Sequence, residues 1–163
     1  MSRELAHVGE DGRPRMVDVS AKPVTHRRAR ARCEVVLPQD IATRLREAGF
    51  RMRKGPVIDT AIIAATQAVK RTHELIPFCH PLPIEHCELS LVLRDDGIMT
   101  IECEVAAHSR TGVEMEALTG ATVAALTVYD MCKSLGHGIR IREVRVVSKQ
   151  GGRHDFVEED ACP

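Results

Sequence analysis

The feature that most constrains the fold is a long helix predicted over residues 113–134. Its middle, residues 117–129, consists of small, apolar and hydroxyl-bearing side chains and contains no charged residue. A helix that is apolar on all sides is typically buried in a core. Gly136 ends the pattern, because glycine readily terminates a helix. A chain of 163 residues is expected to form one domain around such a helix.

The charged residues of this helix lie at its two ends, with Glu114 and Glu116 at the start and Asp130 and Lys133 at the finish. Acids near a helix N-terminus and a cation near its C-terminus favour the helix dipole, which is a purely structural explanation. A functional explanation starts from distance: at 1.5 Å per residue, Glu116 and Asp130 lie roughly 21 Å apart on nearly the same face. If both are functional, either the site is long or two subunits each supply one end.

The composition argues against nucleic acid and membrane as partners. Lys plus Arg and Asp plus Glu both number 23, so no global field attracts the chain to polyanions. Aromatic residues make up 2% of the chain, too few for stacking on single-stranded nucleic acid. The basic run at 27–32 is most simply a solvated face. Because the N-terminus lacks the apolar core of a signal peptide, we expect a cytoplasmic protein.

The six cysteines do not predict a metal site. None has Cys-x-x-Cys spacing, and the adjacent pairs Cys79-His80 and His86-Cys87 do not match structural zinc patterns. In a reducing compartment most of these cysteines are expected to be small buried hydrophobic residues.

Hydrophobic periodicity predicts an α+β fold. After an extended basic lead-in at 16–32, the predicted elements are a strand at 33–37, a helix at 38–48, a helix from Pro56, strands at 87–93 and 101–105 joined by a turn at 94–97, the helix at 113–134 and a strand at 139–146 with a bulge. In order, this is a ferredoxin-like β-α-β-β-α-β antiparallel sheet with an additional helix. The small residues of the long helices also favour assembly into an oligomer.

Three groups of residues could support chemistry. Asp130 and Lys133, three apart, are either a surface ion pair or a partly buried proton-transfer pair in which burial lowers the pKa of the lysine. The cations at 51–54 precede a helix start, where they form either a phosphate cradle or a basic loop. Residues 151–154 are likewise either an anion-binding turn or part of a flexible tail.

The proline-rich segment 76–83 is a stiff extended connector, since proline cannot continue a helix. Cys79 and His80 would point to opposite sides of an extended chain, so they do not form a nucleophile–base pair with each other. His80 is either a ligand-binding donor or a buried structural histidine.

Six short motifs occur along the chain in a fixed order, at 16–22, 54–55, 70–72, 75–82, 111–119 and 129–133. Each alone has low specificity, whereas six in register are highly specific. Together they resemble the cyclic pyranopterin monophosphate synthase family of molybdenum cofactor biosynthesis, over residues 16 to about 156. The chain departs from the family pattern at Met52-Arg53, Pro56, Ile62 and Arg153, and Ile62 removes a phosphate contact.

The resemblance implies a ferredoxin-like fold and a homohexamer, a trimer of dimers with its site at the dimer interface. The implied substrate is a nucleotide-derived small molecule, 3′,8-cyclo-7,8-dihydroguanosine 5′-triphosphate. A lyase of the phosphorus–oxygen type converts it to cyclic pyranopterin monophosphate and releases pyrophosphate. No redox cofactor is implied, and Mg²⁺ accompanying the triphosphate is left open. A competing hypothesis is a non-catalytic oligomeric module that binds nucleotides or anions.

The resemblance also implies roles for individual residues. Asp130 is the catalytic aspartate, and Lys133 and Lys54 transfer protons. The implied substrate-binding residues are Phe78, Cys79, His80, Met115, Glu116, Arg27 and Arg153, and Arg53 is a further phosphate contact. The expected organisation is a flexible segment at 1–15, a single catalytic domain at 16–156 and a flexible tail at 157–163.

Overall fold

The structure is a computed structural model, and it describes residues 12–158. Over this part of the chain it has α+β architecture, with seven strands and four helices. The elements are β1 (Thr25–Val36), α1 (Gln39–Glu47), β2 (Arg51–Met52), β3 (Gly55–Pro56), α2 (Val57–Lys70), α3 (Thr72–Leu75), β4 (His86–Leu93), β5 (Ile98–Ser109), α4 (Glu114–Cys132, followed by the 3₁₀ turn Lys133–Leu135), β6 (Arg140–Gln150) and β7 (Phe156–Val157).

The main sheet is antiparallel and has the strand order β4-β5-β1-β6-β7. β1 is central, and it begins at Thr25 rather than at the predicted residue 33. The reason is an alternation of Arg with Ala across 28–32: the alanines face the core, and the arginines face the opposite side of the sheet. The predicted start of this strand was therefore wrong. The many arginines obscured the alternation of buried and exposed residues, which has a period of two along a strand.

The predicted helix at 113–134 is confirmed as α4, which packs on one face of the sheet against β1, β5 and β6 and beside α2. Gly120 permits this close approach, since a Cβ there would lie 2.5 Å from Sγ of Cys103 and 2.7 Å from Val69. The helix is not buried on all sides, however. Leu126 and Tyr129 are 54% and 41% exposed, so α4 leaves an apolar face uncovered in the single chain.

The predicted hairpin is confirmed, with Gly97 at positive φ in the turn and the N–H of Arg94 donating to the Ile98 carbonyl. β1 and β6 pair with two register irregularities, in agreement with the predicted bulge. The sequence did not predict β2, β3, α3 or β7. Three of these, β2, β3 and β7, are two-residue strands, and β7 includes Val157, the first residue of the predicted tail at 157–163.

Residues 1–11 and 159–163, which belong to the predicted flexible ends, lie outside the described part of the chain. Within residues 12–158, none of the helices has the length and apolar character needed to cross a membrane.

Candidate active site

An apolar cavity of about 430 Å³ opens between the N-terminal segment and the start of α4. Its walls come from the proline-rich connector, from the first turn of α4 and from residues 17–22. The structure brings together here five of the residues that were predicted to bind substrate, namely Phe78, Cys79, His80, Met115 and Glu116. The prolines on both sides of Phe78–His80 hold this segment without regular pairing, so its side chains can face the cavity.

Glu116 is the most unusual group in this cavity. Its residue surface is 3% exposed, although it is an acid. Burial raises the pKa of its carboxyl from 4.5 to about 7, and the nearby charge of Glu114 adds to the shift. Burial also raises the pKa of the Cys79 thiol, with a contribution from the Glu116 charge. The cavity therefore holds a carboxyl group that can both donate and accept a proton near neutral pH.

A cationic cavity of about 530 Å³ adjoins the apolar one. The two share a wall formed by Val17, Lys22, Thr111, Gly112 and Glu114. Arg27 and Arg153, both predicted to bind substrate, lie in this second cavity. So do four cations that the sequence reasoning did not select, Lys22, Arg28, Arg110 and Lys149. The pair forms one cleft with an apolar half and a cationic half.

The cationic half is held in shape by the turn after β6. Gly151 has φ of +84°, and a Cβ there would overlap the backbone carbonyl of His26, so the turn requires glycine. The turn brings the neighbouring Arg153 to the cavity wall, which supports an anion-binding turn over a flexible tail. Nε of Arg27 is buried and has no hydrogen-bond partner within the described residues. A buried donor of this kind favours an anionic ligand as its acceptor.

A second group of charged residues lies at the other end of α4. Lys54, in the turn between β2 and β3, donates from Nζ to Oδ2 of Asp130 at 2.6 Å, and Nζ of Lys133 lies 2.8 Å from Oδ1. Hydrogen bonds from Lys133 and Lys54 lower the pKa of Asp130 to about 2. The carboxylate in turn raises the pKa of Lys133. We call these three residues the lysine–aspartate triad.

For Asp130 and Lys133 the sequence left open a surface ion pair and a partly buried proton-transfer pair. In the single chain the side chain of Lys133 is 57% exposed and its pKa is raised, which agrees with the surface ion pair. Lys133 therefore starts as a cation in the single chain. Arg53 lies in the turn beside Lys54 and not in the lining of the cationic cavity of its own chain, so its contact with phosphate stays a prediction.

The predicted site residues thus form two groups rather than one. All seven predicted substrate-binding residues line the cleft, and the three predicted catalytic residues form the triad. Glu116 and Asp130 are held apart by a continuous helix, at a separation of roughly 21 Å. Within residues 12–158 the chain does not bring them together.

Of the four cations that were not predicted as site residues, some lie in recognisable sequence segments and others do not. Lys22 belongs to the motif at 16–22, and Arg28 follows Arg27 in the basic run. Arg110 and Lys149 had no local signal, because only the pairing of β1 with β5 and β6 places the ends of these strands together. Lys149 is further positioned by an ion pair with Glu114 at 3.1 Å.

The cleft joins an apolar pocket with a titratable carboxyl to a cluster of cations. Such a site suits a small anionic ligand that carries a ring system, and this places the chain in the class of proteins that bind such ligands. The chain belongs to the MoaC family, whose sequence model matches residues 16–152.

Relatives with assigned names match nearly the whole chain. It is 54% identical over 155 residues to a cyclic pyranopterin monophosphate synthase of Xanthomonas oryzae pv. oryzae, covering 95% of this chain and 94% of the relative. A synthase of the same name from Xanthomonas axonopodis pv. citri is 53% identical over the same shares. A molybdenum cofactor biosynthesis bifunctional protein of Synechocystis sp. is 48% identical, covering 93% of this chain and 45% of that longer protein.

Proposed function

We propose that the protein is a cyclic pyranopterin monophosphate synthase of molybdenum cofactor biosynthesis. It converts 3′,8-cyclo-7,8-dihydroguanosine 5′-triphosphate to cyclic pyranopterin monophosphate and releases pyrophosphate, which makes it a phosphorus–oxygen lyase. This proposal rests on one observation: the apolar cavity and the cationic cavity adjoin and form one cleft. The names of relatives at 54% and 53% identity support it independently.

The two halves of the cleft match the two halves of the substrate. The cationic half receives the triphosphate, where Arg27 and Arg153 neutralise charge that becomes concentrated on the departing pyrophosphate. The apolar half receives the purine-derived ring, with His80 and Glu116 as its polar contacts. Because Glu116 has a pKa of about 7, it can hold or release a proton as the ring rearranges.

The triad supplies proton transfer, but from a second subunit. Its distance from the cleft along α4 excludes joint contact with one small substrate in a single chain. We therefore propose a site at a dimer interface, with Lys54, Asp130 and Lys133 of one subunit facing the cleft of the other. Desolvation at that interface would lower the pKa of a lysine, and Asp130 limits how far it falls.

The assembly and the finer fold are proposed on related grounds. A homohexamer built as a trimer of dimers would cover the exposed apolar side chains of the two long helices, which include Ile63, Leu126 and Tyr129. The order β4-β5-β1-β6, with α2 before β4 and α4 before β6, supports a ferredoxin-like arrangement. The reaction rearranges bonds without net oxidation, so we propose that no redox cofactor is required.

Turnover tests the proposed function. The purified protein is mixed with the cyclic dihydroguanosine triphosphate, and pyrophosphate and a fluorescent pterin oxidation product are measured. Lys133→Ala should lose about 10²–10⁴-fold in rate, because general acid–base groups contribute that much. Arg140→Ala removes an exposed cation at the start of β6 and serves as the control, which should keep full activity.

The same assay separates the synthase from a non-catalytic module that binds anions. Saturable binding of the triphosphate without release of pyrophosphate would favour the module. Retention of most activity by Lys133→Ala would reject its catalytic role while leaving the cleft as the binding site.

A further inference from the structure

A histidine and two glutamates lie together on the face of the sheet that points away from α2 and α4. His86 and Glu88 are two residues apart on β4, so both side chains are on the same face. Glu104 on β5 is the direct cross-strand partner of Glu88. One ligand atom from each of the three residues lies within 4.8 Å of the other two. We call this group the strand cluster.

The imidazole of His86 is left without a partner at the centre of this cluster. Its Nε2 atom is inaccessible to solvent and has no hydrogen-bond partner within residues 12–158. The two nearest carboxylate oxygens are Oε1 of Glu104 at 3.6 Å and Oε2 of Glu88 at 3.7 Å. Both distances exceed an ordinary hydrogen bond, so the nitrogen is held between two oxygens and bonded to neither.

These separations fit a cation placed between the three groups. In a tetrahedral site with metal–ligand bonds of about 2.0–2.2 Å, ligand atoms lie roughly 3.3–3.6 Å apart. The distance from Nε2 to Oε1 of Glu104, 3.6 Å, is at the upper end of that range, and the distance to Oε2 of Glu88, 3.7 Å, exceeds it by about 0.1 Å. The donors stand on paired strands of one sheet, so their backbone positions are fixed before any ion binds. Beside the two glutamates lies a cavity of about 190 Å³ with room for water.

We propose that the strand cluster is a binding site for a divalent transition-metal ion of the Zn²⁺ type. One imidazole and two carboxylates form a mixed nitrogen and oxygen donor set, which suits Zn²⁺ and its spectroscopic substitute Co²⁺. Water from the adjoining cavity completes the coordination. The bound ion cross-links β4, which is an edge strand, to β5, and it gives Nε2 of His86 the partner that it lacks.

A neighbouring arginine competes with the ion. Nη2 of Arg28 lies 2.8 Å from Oε1 of Glu104, the same oxygen that faces His86. Metal binding therefore requires this ion pair to loosen or Glu104 to use its other oxygen. The competition predicts that removal of the Arg28 charge tightens metal binding, an effect that a merely structural role of the histidine would not produce.

The test is a titration of the full chain with Co²⁺ after dialysis against a chelator, followed by visible absorption and repeated with Zn²⁺ by calorimetry. We expect one ion per chain in the wild type. His86→Ala and the nearly isosteric Glu88→Gln should each weaken binding at least about tenfold. Arg28→Gln should bind more tightly than the wild type, and circular dichroism verifies that each variant is folded.

Matched controls locate the ion. His108→Ala removes a histidine of β5 that lies outside the strand cluster, and this variant should stay within about twofold of the wild type. His80→Ala should also retain binding, which separates the strand cluster from the cleft. Absence of saturable binding, or binding lost in His80→Ala but kept in His86→Ala, would overturn the proposal. Neither result would affect the turnover assay of the proposed synthase.

Discussion

Replacing Glu116 with glutamine should change how the stability of the protein depends on pH. The carboxyl is buried, and its pKa is raised from 4.5 to about 7. Between these pH values the folded chain holds the proton and the unfolded chain has lost it. Stability therefore falls as pH rises from about 4.5 to about 7, and it changes no further from this group above that range. Glu116→Gln removes the ionisation and keeps the shape.

The size of the effect follows from the shift. One pKa unit corresponds to about 1.4 kcal/mol, so the whole shift is worth about 3 kcal/mol. Partly polar surroundings reduce this free energy to about 2 kcal/mol. At pH 5, half a unit above the ordinary pKa of 4.5, about a quarter of this effect is present, so the variant should be the more stable by about 0.5 kcal/mol. At pH 8 the variant should be the more stable by about 2 kcal/mol, or about 4–8 °C in Tm for a chain of this size.

The assay is thermal unfolding of both proteins at pH 5 and pH 8, at one fixed protein concentration because assembly also affects Tm. Glu74→Gln, which removes an exposed carboxyl on α3, is the control and should not alter the pH dependence. The quantity to compare between pH 5 and pH 8 is the difference in Tm between the variant and the wild type. If that difference is the same at both pH values, the reasoning about a buried, neutral Glu116 is refuted.

Three further predictions concern the walls of the cleft and the triad. Gly151→Ala should cost at least about 2 kcal/mol in urea unfolding, since it combines positive φ with overlap on a backbone carbonyl; unchanged stability would contradict the role of this turn. By NMR, the carboxyl of Asp130 should titrate near pH 2, and Lys133→Ala should move its pKa back toward 3.8; an unmoved midpoint would contradict the lysine's role. Arg27→Gln should raise KM at least about tenfold, whereas Arg32→Gln, whose arginine pairs with Glu102 on the other face, should not; equal effects would reject the phosphate assignment.

The long helix was predicted well and the central strand poorly, because the pattern of the helix is local and the strand depends on partners that are distant in the chain. α4 shows its pattern over nineteen residues, and charge marks both of its ends. The first half of β1 alternates Arg with Ala, and such a segment resembles a disordered basic run until its partners are known. Glu102 and Glu104 of β5 are those partners, and they are about 70 residues away in the chain.

The site shows the same division between local and distant information. Phe78, Cys79 and His80 are contiguous, so a motif could identify them. Lys149 and Arg110 reach the cleft only because β6 and β5 both pair with β1, which no local pattern reveals. The exposed state of the triad also required the structure, because the sequence left both a surface ion pair and a partly buried pair open.

The strand cluster had no sequence signal for a similar reason. His86 and Glu88 are separated by one residue, but their third partner, Glu104, comes from the next strand. A search for zinc spacing along the chain therefore passes over it, because the sheet register and not the sequence interval brings the three donors together.

The central claim is that the cleft of one subunit is completed by the triad of another. Its most direct test mixes Glu116→Ala and Lys133→Ala proteins, each inactive alone, after dissociation and reassembly. If the site is shared, half of the random dimers contain both variants and one of their two sites is intact, so about a quarter of wild-type turnover should return. If cleft and triad of the same chain act together, every site carries a defect and no activity returns, which would contradict the account.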